Sequence, residues 1–460
     1  MSGRGVFDDS TSAARPRTDQ TKESDMRQSR YRSRVAVALC AASATMGLAA
    51  CGGDDGGTAQ LNWYINPDGQ DTLAAIADRC STDDYNIAIQ LLPASATDQR
   101  TQLARRLAAE DSSTDLMSLD PVFVAEFANA GWLERFPDDV AGRVVDDDVL
   151  SGAADTVQWD DGVYAAPQWA NTQVVWYRKS LAEAAGLDME KPVTWDQIID
   201  AAAENNGTVG VQANRYEAYT VWINAMVLGA GGDIVSNTEA GREAQVDIDS
   251  EAGTAAAEII AKLADSEARQ PDFTVSNEGT SLGRMFPAAP DAPGGAGEFM
   301  LNWTFVYKNY EGQVSDEEFA DLGWARYPQT IEGQDSKPPI GGIDIGVGAY
   351  SEHTDFALEA AECITDADAQ TELAVNDGLM PARQSAYDSS ELQEAYDPSL
   401  LELFRVSIEE GGPRPKSAFY SQISSAIQSV WHSPTAVDPA TTPQESATFL
   451  RDVLDGRRLL

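Results

Sequence analysis

The sequence is poor in histidine, cysteine and lysine: of 460 residues, two are His (His353 and His432), four are Cys and seven are Lys. With so few histidines and no HExxH or CxxC spacing, no zinc site is expected. A GxxxxGK[ST] loop is also absent, so nothing predicts a nucleotide phosphate cradle, and no cofactor is expected. The aspartate runs Asp54-Asp55 and Asp146-Asp147-Asp148 lack the glycine and terminal glutamate of a calcium loop and read as solvated surface. Basic residues number 32 against 74 acidic ones, for a net charge of −42. Such a surface repels phosphate backbones and anionic headgroups, which excludes nucleic acid and an anionic lipid surface as partners. Beyond residue 50 no stretch stays apolar for the roughly 18 residues a membrane span needs.

What is present begins at the N-terminus. Arg27, Arg30, Arg32 and Arg34 precede a mostly apolar run from Val35 to Met46, followed by Leu48-Ala49-Ala50-Cys51. A positive segment, a short apolar core and small residues before a cysteine read as a signal peptide over 1–50 that ends in a bacterial lipobox. Met26 opens a leader of ordinary length, so residues 1–25 read as a start-site artefact. Cleavage before Cys51 would leave its thiol for lipidation and hold the chain at the extracytoplasmic face of the membrane; the alternative is an ordinary secretory signal with a chance cysteine. Residues 51–58, Gly- and Asp-rich, read as a tether. Cys40 leaves with the leader, so Cys80 and Cys363 remain in an oxidising compartment, as a disulfide or as two buried thiols.

From Ala59 the pattern alternates. Leu61–Ile65, Asn86–Leu92 and Asp115–Leu119 read as strands, with helices at Thr72–Cys80, from Thr97 through Leu107, and at Val122–Ala130. This rhythm predicts an open, largely parallel α/β sheet, whose ligands sit at the carboxyl ends of the strands. Asn66, Asp68 and Asp120 fall there. A second α/β set follows: strands at Val174–Tyr177, Val209–Val211, Val246–Ile248, Phe299–Trp303 and Ile340–Ala349, and helices at Trp195–Glu204, Tyr219–Leu228 and Glu251–Ala264. Phe286–Gly297 reads as a Pro/Gly/Ala loop, and helices dominate from Phe356 onward.

Two chemistries compete with simple binding. Gly279-Thr280-Ser281-Leu282-Gly283 matches the G-x-S-x-G nucleophile elbow, but the segment before it is too polar for the required strand. A glycosidase carboxylate pair cannot be singled out among so many acids. Sugar recognition needs Asp, Glu, Asn or Arg beside an aromatic face. Trp169-Ala170-Asn171, Asn302-Trp303 and Gly412-Pro413-Arg414-Pro415 supply such groupings.

At these residues the chain resembles the extracellular solute-binding proteins of the maltose-binding class. The segment Gly297–Trp303 (GEFMLNW), together with the lipobox and the two α/β sets, carries that likeness. Within the class, the chain is most similar to trehalose-binding lipoproteins of ABC importers. Asp98-Gln99-Arg100, Ala130-Gly131-Trp132, Tyr164-Ala165-Ala166-Pro167, Trp176-Tyr177-Arg178, Val211-Gln212-Ala213-Asn214, Ile340-Gly341-Gly342 and both Cys80 and Cys363 carry this closer resemblance.

The resemblance implies a type II periplasmic-binding-protein fold: two α/β lobes, residues 59–165 with 334–380 and residues 166–333 with 381–460, joined by a multi-strand hinge around a ligand cleft. It implies a monomer that is not an enzyme, that binds a small-molecule sugar and delivers it to ABC permease subunits. The sugar would be a disaccharide, trehalose first, with another α-glucoside or a polyol as the alternative and a secreted hydrolase as a third reading. Carried over position by position, Asp120, Asn171 and Glu278 would bond hydroxyls. Trp303 would stack on a ring, Arg414 would bridge hydroxyls, and Gly342 would admit the ligand to the backbone. Asn66, Asp68 and Gln99 are additional contacts. Asp344 stands where the relatives have Asn, and Gln168-Trp169-Ala170 departs from them.

Overall fold

The computed structural model describes residues 58–286 and 297–460. The expected signal peptide, the lipidation site Cys51, nearly all of the tether and most of the Pro/Gly/Ala loop lie outside the described residues. Three strands open the fold: β1 (Ala59–Ile65), β2 (Tyr85–Leu91) and β3 (Leu116–Leu119). β1 lies between the other two and is parallel to both. The helices Gln70–Cys80 and Ala96–Leu107 make the crossovers. Along β1 the side chains alternate, as a strand buried on both faces requires. Leu61, Trp63 and Ile65 enter one core with Leu73 and Ile76 of the first helix, while Tyr64 enters another with Leu103 and Leu107 of the second.

The chain then runs into β4 (Ala165–Arg178), a single 14-residue strand of which the sequence pattern marked only the apolar end, Val174–Tyr177. Its remaining strands are β5 (Thr208–Gly210), β6 (Glu298–Trp303), β7 (Leu322–Ala325) and β8 (Ile340–Val347). The order across the sheet is β2-β1-β3-β8-β4-β6-β5, with β7 also on β4. β4 changes partners along its length. Ala165 to Thr172 pair with β8, whereas Gln173 to Tyr177 pair with β6 and Val175 to Arg178 with β7. One strand therefore belongs to two half-sheets.

The sheet is mixed rather than largely parallel. β8 runs antiparallel to β3 and β4, and β6 and β7 run antiparallel to β4. The reading from alternation alone failed because it assumed that every strand returns through a helix on the same sheet, whereas β4 runs through both halves and β8 inserts antiparallel between β3 and β4. The expected strand Val246–Ile248 shrinks to Gln245–Val246, paired with Val235–Ser236 in a separate two-stranded ribbon.

The second half-sheet is also covered on both faces. Val175, Val209, Phe299 and Leu301 pack on the helices Trp195–Glu204, Glu217–Gly229 and Glu251–Asp265. Val174, Trp176 and Met300 pack on the helix Pro398–Glu409. The helix at Trp195 starts where the sequence placed it, because Thr194 and Gln197 form a reciprocal capping box.

Cys80 and Cys363 form a disulfide with a Cα–Cα distance of 5.8 Å. It ties the end of the first helix to the helix Thr354–Ile364. Digestion without reductant should leave the Cys80 and Cys363 peptides joined, and mass spectrometry should find them separate only after reduction. Recovery of both as free-thiol peptides would contradict the bridge.

Candidate functional site

A cavity of about 490 Å³ opens where the two half-sheets meet. Its walls come from chain turns at strand ends. Asn66 and Asp68 follow β1, Asp120 follows β3, and Asn171 sits on β4 where that strand changes partners. Gln99 comes from the helix Ala96–Leu107, Glu278 from the first turn of the helix Glu278–Met285, Trp303 from the end of β6 and Gly342 from β8. Arg414 lies in the segment after the helix Pro398–Glu409. These nine expected positions all line the one cavity.

Arg414 is the electrostatic centre of one end. Its side chain is 2% exposed, with Nη2 2.7 Å from Asp120 Oδ1 and Nη1 2.9 Å from Glu217 Oε1. Pro121 begins a 3-10 turn, and the Asp120 carboxylate caps it by accepting from Val122 N at 3.3 Å. Glu217 also accepts from the Tyr420 hydroxyl and from Ser424 Oγ, the latter at 2.7 Å. Burial pushes the Glu217 carboxyl above its ordinary value, and the Arg414 charge pulls it back. Each unpaired charge in such a place is expensive, and both carboxylates hold the guanidinium, although its Nε has no hydrogen-bond partner.

The other end is built on carboxylates. Tyr216 donates its hydroxyl to Glu278 Oε2 at 2.7 Å, and the nearby Trp303 indole also favours the charged carboxylate. Burial raises the Glu278 pKa despite both. Asn66 Nδ2 donates to Asp68 Oδ2 at 2.9 Å. Asp68 is raised by burial, with nearby Asp377 adding to the shift. Asn171 has its amide oxygen fixed by Thr304 Oγ1 at 3.2 Å and Met380 N at 3.3 Å, which leaves the NH₂ end as its donor toward the cavity. Trp303 lies over Gly341, where an added Cβ would come within 2.9 Å of the ring. Gly342 has φ +140°, and a Cβ there would meet Trp169 O at 2.1 Å. Trp169 supplies a second indole to the lining.

Asp344 stands apart from the other nine. Strand alternation would place it on the face of Gly342, but the pairing of β8 with β4 slips between Ile343 and Asp344. The residue is 2% exposed, does not line the cavity, and has no partner for Oδ2. Burial raises its pKa well above the ordinary carboxylate value, against the Thr156 hydroxyl and with help from Asp120. A raised folded pKa contributes stability below the unfolded value and loses it as pH rises through the folded one. Asp344→Asn should therefore be more stable than the parent at pH 8, by about 1 kcal/mol or more, with the gap closing toward pH 4. Denaturant unfolding at the two pH values measures this, and a gap that widens on acidification would contradict it.

The hydrolase motif dissolves in the structure. Ser281 is fully buried, its hydroxyl facing the Val211 carbonyl at 3.4 Å. No strand precedes it; Asn277 and Thr280 instead cap the helix start reciprocally. His432 Nε2 is engaged with Thr274 O at 3.1 Å. Among the described residues, no group of three or more His, Cys, Asp or Glu could hold a metal ion, and no helix is long and apolar enough to cross a membrane.

Sequence reasoning missed Tyr216, Glu217 and Asp377, all of which line the cavity. Glu217 did leave a signal: it is the sole charged residue of Glu217–Gly229, a helix otherwise apolar enough to be buried on nearly every side.

The profile of the bacterial extracellular solute-binding proteins matches residues 66–371 of this chain. The chain belongs to that family. Its family and structural neighbours are solute-binding proteins, not enzymes. A mannitol-binding protein of Pseudomonas aeruginosa is 31% identical over 107 residues, 23% of this solute-binding protein and 24% of the relative. A probable ABC transporter-binding protein of Deinococcus radiodurans is 25% identical over 292 residues, 58% of this chain and 63% of the relative. The chain thus matches less than two thirds of the length of either relative. Maltose-bound T. maritima MalE3 has the same fold, with a TM-score of 0.74 at 23% identity over 87% of this chain and 100% of that one. The architecture is the two-lobed α/β fold of the periplasmic sugar-binding proteins.

Proposed function

We propose that this solute-binding protein captures a disaccharide, trehalose first, and hands it to the permease of an ABC importer while held at the extracytoplasmic face by a lipid on Cys51. The observation that carries the reading is the cavity itself. Hydroxyl-bonding groups (Asp68, Asn171, Glu278) surround the half-buried Trp303, with the buried Trp169 behind, where the half-sheets meet. A sugar offers hydroxyls in its plane and C–H groups on its faces, and this lining answers both. The volume of about 490 Å³ suits a ligand of one or two rings.

Residues 59–165 with 334–380 would form one lobe, and 166–333 with 381–460 the other. Closure over the sugar would populate the shape the permease reads. Arg414 and Asp120 face each other from opposite lobes in this division, so their ion pair would report closure. Calorimetric titration of the purified chain with trehalose, maltose, glucose and mannitol tests the reading. Saturable one-to-one binding of trehalose, with maltose weaker, supports it; a folded protein that takes up none of these sugars would overturn it. A polyol is the second reading, favoured by the mannitol-binding relative, and mannitol binding tighter than trehalose would select it.

A further inference from the structure

Two of the cavity's walls, Trp303 and Glu278, come from different elements, the end of β6 and the first turn of the helix Glu278–Met285. One side chain behind the cavity ties them together. Asn302 precedes Trp303 on β6, is fully buried and does not line the cavity. Its Oδ1 accepts from Trp303 N at 3.0 Å, and its Nδ2 donates to the Glu278 backbone oxygen at 3.1 Å. The second Nδ2 proton has Met300 Sδ within 3.5 Å. Reversing this amide would set Nδ2 against the Trp303 N–H and Oδ1 against the Glu278 carbonyl, so its orientation is fixed.

Other bonds secure the strand end elsewhere. Trp176 Nε1, on β4, donates to the carbonyls of Asn302 and Trp303 at 3.1 and 3.2 Å. Thr304, also fully buried, donates its hydroxyl to Gly378 O at 2.8 Å. The Asn302 amide adds the link to the helix that carries Glu278. That link matters for a half-buried ring, which neighbours hold less firmly than a core ring and which therefore stands where its backbone puts it.

We infer that Asn302 is a positioning residue that fixes Trp303 relative to Glu278 and thereby sets how tightly a sugar is held. A sugar ring stacked on Trp303 must at the same time bring a hydroxyl within bonding distance of the Glu278 carboxylate. Groups already at the right separation bind without the cost of ordering them, and a displacement of about 1 Å is enough to spoil such a match. The inference rests on the sugar-binding reading and deepens it, since Asn302 acts through the site without touching the ligand.

Asn302→Leu keeps the approximate shape of the side chain and removes both bonds. Calorimetric titration of the full chain with trehalose, maltose, glucose and mannitol, well below the thermal midpoint of each variant, is the measurement. A sugar that binds the parent should bind Asn302→Leu about tenfold more weakly. In a Trp303→Phe background the same change should weaken binding about threefold or less, because the smaller ring has less to lose from misplacement. A purely structural role would lower the midpoint yet leave the affinity of the folded protein alone, or weaken both backgrounds equally. Asn302→Ala, which removes the same bonds with less bulk, serves if the leucine variant does not fold. Affinity within twofold of the parent, or an equal loss in both backgrounds, overturns the inference and leaves the sugar reading standing. If none of the four sugars binds the folded parent, both are overturned.

Discussion

Trp303→Ala should abolish measurable sugar binding while leaving the fold intact. The ring lines the cavity and lies over Gly341, where no Cβ intrudes. Truncating a stacked aromatic at the centre of a site typically costs about 3 kcal/mol, or more than a hundredfold in affinity. The same ring is only partly buried, so its loss opens no sealed cavity in the core, and the thermal midpoint should move little. Trp303→Phe keeps a smaller stacking face and should fall between the two. Titration calorimetry and thermal melting of the three proteins separate these effects. Unchanged affinity in the alanine variant would remove Trp303 from the site.

Arg414→Met should act on the fold itself. Methionine fills much of the space but leaves Asp120 and Glu217 without their shared cation, in a place where the Arg414 side chain is 2% exposed. Breaking a buried pair from one side typically costs about 3–5 kcal/mol, because the remaining charge is stranded. The loss should depend on pH in a definite sense. Without the guanidinium the folded-state pKa of Glu217, already raised by burial, rises further, so protonation rescues the variant as pH falls. The gap to the parent should be widest near pH 8 and narrow toward pH 4. Adding Glu217→Gln to Arg414→Met should recover part of the loss, since the amide replaces the stranded anion. Urea unfolding across this pH range is the measurement, and a stability equal to the parent at pH 8 would refute the account.

Much of this arrangement was legible in the residues. The strands β1 to β3 and their helices follow from alternation and caps, and Asn66, Asp68 and Asp120 fall at strand ends by that pattern alone. Asn171, Glu278, Trp303, Gly342 and Arg414 came through family resemblance; the first, third and fourth converge because β4 pairs with both β6 and β8, while a helix start brings Glu278 and the segment after Pro398–Glu409 brings Arg414. What failed were features set by tertiary pairing. The length of β4 was hidden because Pro167, Gln168 and Asn171 interrupt its apolar run, although neighbouring strands hold it extended. Asp344 was misplaced because a register slip leaves no mark in a single sequence. Asp377 was missed because it belongs to the end of a polar helix, and only its proximity to Gly69 across the fold brings it to the cavity.

The bridge between Cys80 and Cys363 has a consequence for how the molecule survives proteases. The two cysteines are separated by 283 positions, and everything between them forms one covalent ring. A single cut anywhere in 81–362, including the Pro/Gly/Ala stretch around 287–296, opens the ring without releasing either piece. The N-terminal and C-terminal parts stay joined until a reductant arrives, so a nicked molecule still migrates as one species without reductant and as two fragments with it.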